Sequence, residues 1–296
     1  MMDSHSFEFL VADIGNTAVH VGRFSSPLAS KPGIPRPVQT WKIPHRDAPA
    51  ISVAAEQRTS PWFVASVSRP GLEKLVRALK SKPVPPLPVG EGSGVRDDRQ
   101  EDRQPSLTHS GSDSSLTRRV TVLGAADFPI ENRLARPEQV GTDRLAAAVA
   151  ANRLRATGQP AIIIDAGTAI TVDVVSESGA YVGGAILPGL AMAARALAEQ
   201  TDALPLIDFD PSDPPPPIGD DTISAMQSGL FWGTSGAIKK LIDEIIAKLT
   251  APPLLLATGG DSTRLLYEAG VAATYEPDLT LAGIAIAAAA TIAPAL

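Results

Sequence analysis

Two short segments of this chain carry the residue types that handle phosphate and metal. "VADIGNTAVHV" (residues 11–21) and "IIDAGTAITVDVV" (163–175) share one plan: an apolar run ending in aspartate, a small residue, a glycine, one or two polar residues, then a second apolar run. Asp13 and Asp165 are hard oxygen donors able to bind a cation directly or through water. Gly15 and Gly167 lack a Cβ, which allows a tight hairpin whose main-chain N–H groups approach an anion closely. Asn16, Thr17 and Thr168 add side-chain donors. One such turn is most often only a chain reversal; two of them facing each other make a cleft for a metal-bound polyphosphate.

Two further segments extend this chemistry. "LLLATGGDS" (254–262) ends an apolar run in Gly259-Gly260, where exposed backbone suits the flat face or ribose of a nucleotide. "PEQVGTDRLAAAVAANRL" (137–154) places Gly141, Thr142, Asp143 and Arg144 at the start of an alanine-rich helix, where the helix dipole favours an acid. On these residues alone, Asp143 reads as a first-turn helix acid and Arg144 as its surface partner.

The elements that position these residues alternate along the chain. "FEFLVAD", "PWFVASV", "RVTVLG", "AIIIDAG", "AITVDVV" and "LLLATGG" have the length and β-branched content of buried strands. "GLEKLVRALKS", "TDRLAAAVAANRLRA", "AMAARALAEQ", "TISAMQSGLFWGTSGAIKKLIDEIIAKL" and "DLTLAGIAIAAAAT" carry helical patterns, and "GGAILPGLAMAARAL" opens as a glycine turn leading into a helix. The result is an α/β fold with helices covering sheets. Residues 83–119, rich in Pro, Gly, Ser and charge, form an expected flexible surface insertion. The stretch "DFDPSDPPPPIGDD" (208–221), with four consecutive prolines, is an expected loop leading into a helix.

Composition removes several function classes. The 296 residues carry a net charge of −6 with no cysteine, which argues against a nucleic-acid surface and excludes thiolate zinc sites and cysteine nucleophiles. His5, His20, His45 and His109 are scattered without ligand spacing. The N-terminus lacks the features of a signal peptide, and "LAGIAIAAAATIAPA" is too short and alanine-rich to span a bilayer, so a cytoplasmic protein with no membrane partner is expected. Trp41, Trp62 and Trp232 are expected in the core or at an interface, Trp232 as a dimer contact.

"DIGNT", "GTDR", "DAGTAITVD", "GGAILPG", "TISAMQSGLFWG", "TGGDS" and "PDLTLAGIAI" follow one another in an order and spacing that resembles the type III pantothenate kinases, in the acetate and sugar kinase, Hsp70 and actin superfamily. The resemblance covers nearly the whole chain outside the 83–119 insertion. It implies two ribonuclease H-like (actin-like ATPase) domains, 1–135 and 136–296, with the active site in the cleft between them. The implied reaction is the ATP-dependent phosphorylation of pantothenate to 4'-phosphopantothenate, the first step of coenzyme A biosynthesis, by a homodimer.

The resemblance also implies roles. The hairpin Asp13, Ile14, Gly15, Asn16, Thr17, Ala18, Val19 and His20 lies against ATP, with Asp13 near Mg2+ and Thr168 a further ATP contact. Asp165 holds a monovalent cation, K+ or NH4+. Asp143 is the general base, and Gly141, Thr142, Asp143 and Arg144 bind pantothenate together with Thr222 of the neighbouring subunit. Thr222 alone reads equally well as a helix N-cap. Two departures touch the acceptor side: Leu134 stands three residues before the proline where the family carries an aromatic, and the family's Asn-Thr pair is Asp221-Thr222. A non-catalytic pantothenate kinase-like regulatory factor and another phosphotransferase of the superfamily are the alternatives.

Overall fold

A computed structural model describes residues 7–26, 28, 33–44, 60–80, 120–210 and 213–292. The 83–119 insertion, apart from its neighbours, and His5, His45 and His109 lie outside the described residues. In chain order the elements are β1 (Phe7–Ile14), β2 (Ala18–Ser26), β3 (Gln39–Pro44), β4 (Trp62–Ser66), α1 (Arg69–Lys80) and β5 (Val120–Val122). They continue with α2 (Thr142–Leu154), β6 (Ala161–Ala166), β7 (Ala169–Val175), β8 (Tyr181–Pro188) and α3 (Leu190–Gln200). The last are α4 (Thr222–Ile246), β9 (Leu254–Thr258), α5 (Ser262–Glu268), β10 (Thr274–Tyr275) and α6 (Leu279–Ile292).

The internal repeat read from the two Asp-Gly segments extends to the whole topology. One five-stranded sheet has the order β3-β2-β1-β4-β5, the other β8-β7-β6-β9-β10. In each, the first strand pairs antiparallel with the second and the second with the third, whereas the fourth and fifth add in parallel. The hydrophobic pattern follows from how these sheets stack. Leu10, Ala12 and Ile14 of β1 pack with Leu75 and Leu79 of α1 on one face, while Phe9 and Val11 point the other way. In the second sheet Ile162 and Ile164 pack with Phe231 and Ile238 of α4, while Ala161 and Ile163 point the other way.

Phe9, Val11, Ala161 and Ile163 meet in one shared core with α2 and α6. Both helices are buried on nearly every side: residues 145–151 of α2 and 279–288 of α6 are buried without a break. A helix apolar all round needs apolar neighbours all round, which a position between two sheets supplies. The small residues let the pair come close, since a Cβ on Gly283 would overlap the Ala146 carbonyl. The layers are therefore α1, first sheet, α2 with α6, second sheet, and then α4 and α5.

Several local expectations are revised. "GGAILPG" is not a turn: Gly183 and Gly184 lie inside β8, and the chain turns at Gly189, the N-cap of α3. Thr222 is not the N-cap of α4; Asp221 is, accepting a 2.7 Å hydrogen bond from the Ser224 N–H, which leaves Thr222 as the first helical residue, exposed. Trp62 is buried, and the Trp232 indole donates to the Pro215 carbonyl at 3.0 Å, pinning the proline loop to α4. Among the described residues no helix is long and apolar enough to cross a membrane.

Candidate active site between the sheets

Side chains alternate across a strand, so Asp13 shares the inward face of Phe9 and Val11, and Asp165 shares that of Ala161 and Ile163. Each aspartate therefore leaves the end of its sheet's first strand toward the middle layer. Asp143 enters the same space on the first turn of α2. Gly141 makes room for it, because a Cβ there would overlap Asp143 Oδ1. That oxygen accepts from the Arg144 N–H at 2.8 Å, satisfying one of the helix's unpaired N-terminal donors.

The three carboxylates feel one another. Burial, then the charges of Asp143 and Asp165, push Asp13 up to about 8. Burial, then Asp143 and Asp173, push Asp165 up to about 6, with Lys42 pulling the other way. Burial raises Asp143, opposed by the Arg144 N–H. Three acids sharing a space this way is costly unless positive charge enters it.

The hairpin tips close over this cluster. Thr17 Oγ1 lies 2.7 Å from Thr168 Oγ1, so the two sheets touch through their matching turns. The glycines of these turns serve a different purpose from the one expected. Neither Gly15 nor Gly167 has a left-handed φ, and a Cβ would meet only the Ala18 carbonyl at 3.6 Å or the Ala169 carbonyl at 3.9 Å and Asp165 at 4.0 Å. The turns would tolerate a side chain, so the glycines leave clear space over the hairpin backbone. Gly259 is the position where the backbone requires glycine: its φ is +87°, and a Cβ would lie 2.6 Å from Asp165 Oδ1. The third glycine segment thus packs directly on the second hairpin, and the Asp261 N–H donates to the Ala166 carbonyl at 3.1 Å.

Two buried polar atoms at this site, Asp13 Oδ1 and Thr142 Oγ1, have no hydrogen-bond partner among the described residues. Such atoms in a native interior point to a missing partner. No three His, Cys, Asp or Glu side chains among the described residues form a ready metal cage. Mg2+ retains water and takes one or two carboxylates plus substrate phosphates, so the unpartnered Asp13 oxygen fits it. Asp165, crowded by acids, fits a second cation.

The remaining residues are placed as follows. Ile14 and Val19 close the first hairpin as a strand pair and are buried, so their contribution there is the backbone. Asn16 is exposed at the tip. His20 is half-buried, with Nε2 3.7 Å from Asp278 Oδ1, and burial lowers its pKa against the pull of Asp278. Arg144 binds Asp173, Nε at 2.9 Å and Nη2 at 2.5 Å. Leu134 is half-buried against the middle layer, 3.1 Å from where a Gly183 Cβ would sit. No described contact joins Thr222 to the cluster.

The sequence reading missed Lys42, Asp173 and Tyr181. Lys42 lies opposite His20 in register, and His20 opposite Asp13, so the three share the inward face of the first sheet. Its charge reaches Asp165 and Asp261 on the other side.

Comparison with known proteins places the chain in a family. Residues 106–244 match a family model described as Type III pantothenate kinase. A type III pantothenate kinase of Dehalococcoides mccartyi is 31% identical over 285 residues, covering 95% of this chain and 97% of that protein. One from Rubrobacter xylanophilus is 43% identical over 165 residues, covering 54% of this chain and 61% of the relative. In the fold, a Campylobacter jejuni protein assigned to a Baf family of transcriptional activators superposes with a TM-score of 0.53 at 20% identity, over 97% of this chain and 100% of that one. A Sinorhizobium meliloti protein assigned as a 2-dehydro-3-deoxygalactonokinase gives 0.51 at 12% identity, over 96% and 99%.

Proposed function

Because the chain belongs to the type III pantothenate kinase family, we propose that it transfers the γ-phosphoryl group of ATP to the primary hydroxyl of pantothenate, with Asp143 as general base. The observation that carries this reading is the convergence of Asp13, Asp143 and Asp165 from three separate elements into one space beneath touching hairpin tips. Phosphoryl transfer asks a protein mainly for positioning and charge neutralisation. The clear backbone over the Gly15 hairpin, with Asn16, Thr17 and Thr168 as donors, suits the polyphosphate. Lys42 brings a cation to the same side.

In the step itself the pantothenate hydroxyl oxygen attacks the γ-phosphorus, the bond to the ADP oxygen breaks, and the hydroxyl proton passes to Asp143. A carboxylate raised by burial is a stronger base than an ordinary one. Asp13 would hold Mg2+ and Asp165 a K+ or NH4+ ion; when bound, these supply positive charge that offsets the phosphates and the crowded acids. Gly141, Thr142 and Arg144 line the acceptor side around Asp143. Exposed apolar side chains along β8 and at the starts of α3 and α4, among them Val182, Ile186, Met192 and Ile223, support a homodimer in which Thr222 reaches the partner's acceptor pocket.

The test is an assay of the purified protein with ATP, Mg2+, K+ and pantothenate, following ADP release and the mass of the product. The expected result is one 4'-phosphopantothenate per ADP. ATP binding without phosphopantothenate overturns the assignment in favour of another acceptor or a regulatory role.

A further inference from the structure

Asp173 is the buried acid that the reaction above leaves unused. It is 1% exposed, in the middle of β7, among Val172, Val174 and Val175. A carboxylate in such a place needs partners, and it has three donors on one oxygen. Arg144 gives Oδ1 two hydrogen bonds, from Nε at 2.9 Å and Nη2 at 2.5 Å, and the Tyr181 hydroxyl gives a third at 2.8 Å. Tyr181 is fully buried, and its ring centroid lies 5.8 Å from Arg144 Cζ. The guanidinium is therefore fixed in both position and plane.

Two backbone features serve this contact. Opposite Val174 lies Gly183, but opposite Val175 lies Tyr181, so Val182 is an extra residue in a β-bulge, with Gly183 at φ +111°. Side chains alternate across a strand, so without the bulge Val182 would face Val175 and Tyr181 would point to the other side of the sheet. The bulge is what brings Tyr181 onto the face of Asp173. Directly opposite Asp173 is Gly184, where a Cβ would stand 2.9 Å from Asp173 Oδ1 and overlap the Val172 carbonyl. Its absence keeps that oxygen open to all three donors.

Arg144 directly follows the proposed base, and its side chain is 15% exposed. With Nε and Nη2 committed to Asp173, Nη1 makes no hydrogen bond among the described residues. We propose that Asp173 and Tyr181 are positioning residues that hold Arg144 with its Nη1 edge turned to the carboxylate of the acceptor, setting the preference for an acidic acceptor. This rests on the reading of that acceptor as pantothenate. A guanidinium already immobilised loses little freedom on meeting a carboxylate, so its selectivity depends on the groups that hold it.

The experiment compares pantothenate with pantothenol, in which an alcohol replaces the carboxylate, for the wild type, Asp173→Asn and Tyr181→Phe. Asp173→Asn keeps the shape and an acceptor oxygen but removes the charge. It is expected to raise KM for pantothenate about tenfold with kcat changed less than about twofold, as for loss of a charge-assisted contact made equally in ground and transition states. KM for pantothenol stays unchanged, so the preference collapses. Tyr181→Phe moves it in the same direction by about threefold, as for one neutral hydrogen bond. Equal losses on both acceptors, or none on either, overturn the proposal. Should Asp173→Asn fail to fold by its melting curve, Tyr181→Phe decides by the same criterion. A wild type that phosphorylates neither acceptor overturns the pantothenate reading and this proposal with it, whereas a wild type active on pantothenate with unshifted variants overturns this one alone.

Discussion

The two halves of the molecule repeat one topology but fill equivalent positions with different chemistry. Across the first sheet the inward row is Asp13, His20 and Lys42; across the second it is Asp165, Thr171 and Ile186. The first row consists of titratable groups turned to the cleft, whereas the second ends in an exposed isoleucine. Two residues further along the second strand the contrast reverses. Gly22 in the first half packs beneath Leu281 of α6, where a Cβ would be 3.2 Å from Cδ1. Its counterpart Asp173 holds Arg144 beneath α2. Charge in the first half thus sits at the hairpin side, and in the second half beneath the helix that carries Asp143. One duplicated frame divides into a side suited to polyphosphate and a side suited to the acceptor.

The strongest way to break this division is at Asp143, which sits between the halves. Asp143→Asn should lower kcat by about 10²–10⁴ while ATP binding, followed by calorimetry, stays within a factor of about two. Turnover at the wild-type rate would remove Asp143 as base and leave the acceptor side without chemistry.

Asp13 sharpens the comparison through stability. Its folded pKa of about 8 stands above the ordinary 3.8, so the folded state binds the proton more tightly than the unfolded chain does. Stability linked to that proton is full below about pH 4 and is lost as pH rises toward 8. Asp13→Asn should therefore stabilise the nucleotide-free protein at pH 8 by about 2 kcal/mol, a figure reduced from about 1.4 kcal/mol per pH unit because the residue is partly solvated. The gain should vanish near pH 4, and melting curves across that range measure it. A pH-independent difference would mean that Asp13 is not strained by its neighbours.

Lys42→Met should raise KM for ATP about tenfold, the equivalent of one charge-assisted contact, and leave KM for pantothenate unchanged. Ile186→Ser, at the matching place in the second row and on the proposed dimer face, should leave KM for ATP unchanged while weakening the dimer that carries Thr222 to the acceptor pocket. A pantothenate effect at Lys42 would erase the division.

Asp13 and Asp165 were legible because the frame is duplicated: an aspartate, a small residue and a glycine between apolar runs stand out twice, whereas Asp143 stood out only through the resemblance. That α2 and α6 lie enclosed between two sheets was not legible: their patterns read as helices covering sheets, and the polar ends of α2 mask the unbroken burial of residues 145–151. Asp173 was not, although it stands in the same quoted segment as Asp165. One acid in an otherwise apolar strand signals a buried partner, but nothing local identifies Arg144, 29 positions earlier. The bulge at Val182 was hidden for a related reason, since one inserted residue changes the facing of Tyr181 without changing composition. Lys42 lies in "QTWKIP", where the terminal proline and the polar start obscure an edge strand.

The smallest effect tests whether the halves act together. Thr17→Val and Thr168→Val each remove one side of the 2.7 Å hydroxyl contact between hairpin tips. Each should raise KM for ATP about threefold, the scale of one neutral hydrogen bond near solvent. Because the proposed function has each threonine donate to the polyphosphate, the losses of the double variant should approach the product of the two, about tenfold. A double variant no worse than either single one would mean that ATP binding needs only the hydroxyl contact between the tips, so that the two halves contribute one shared bond and not two separate donors.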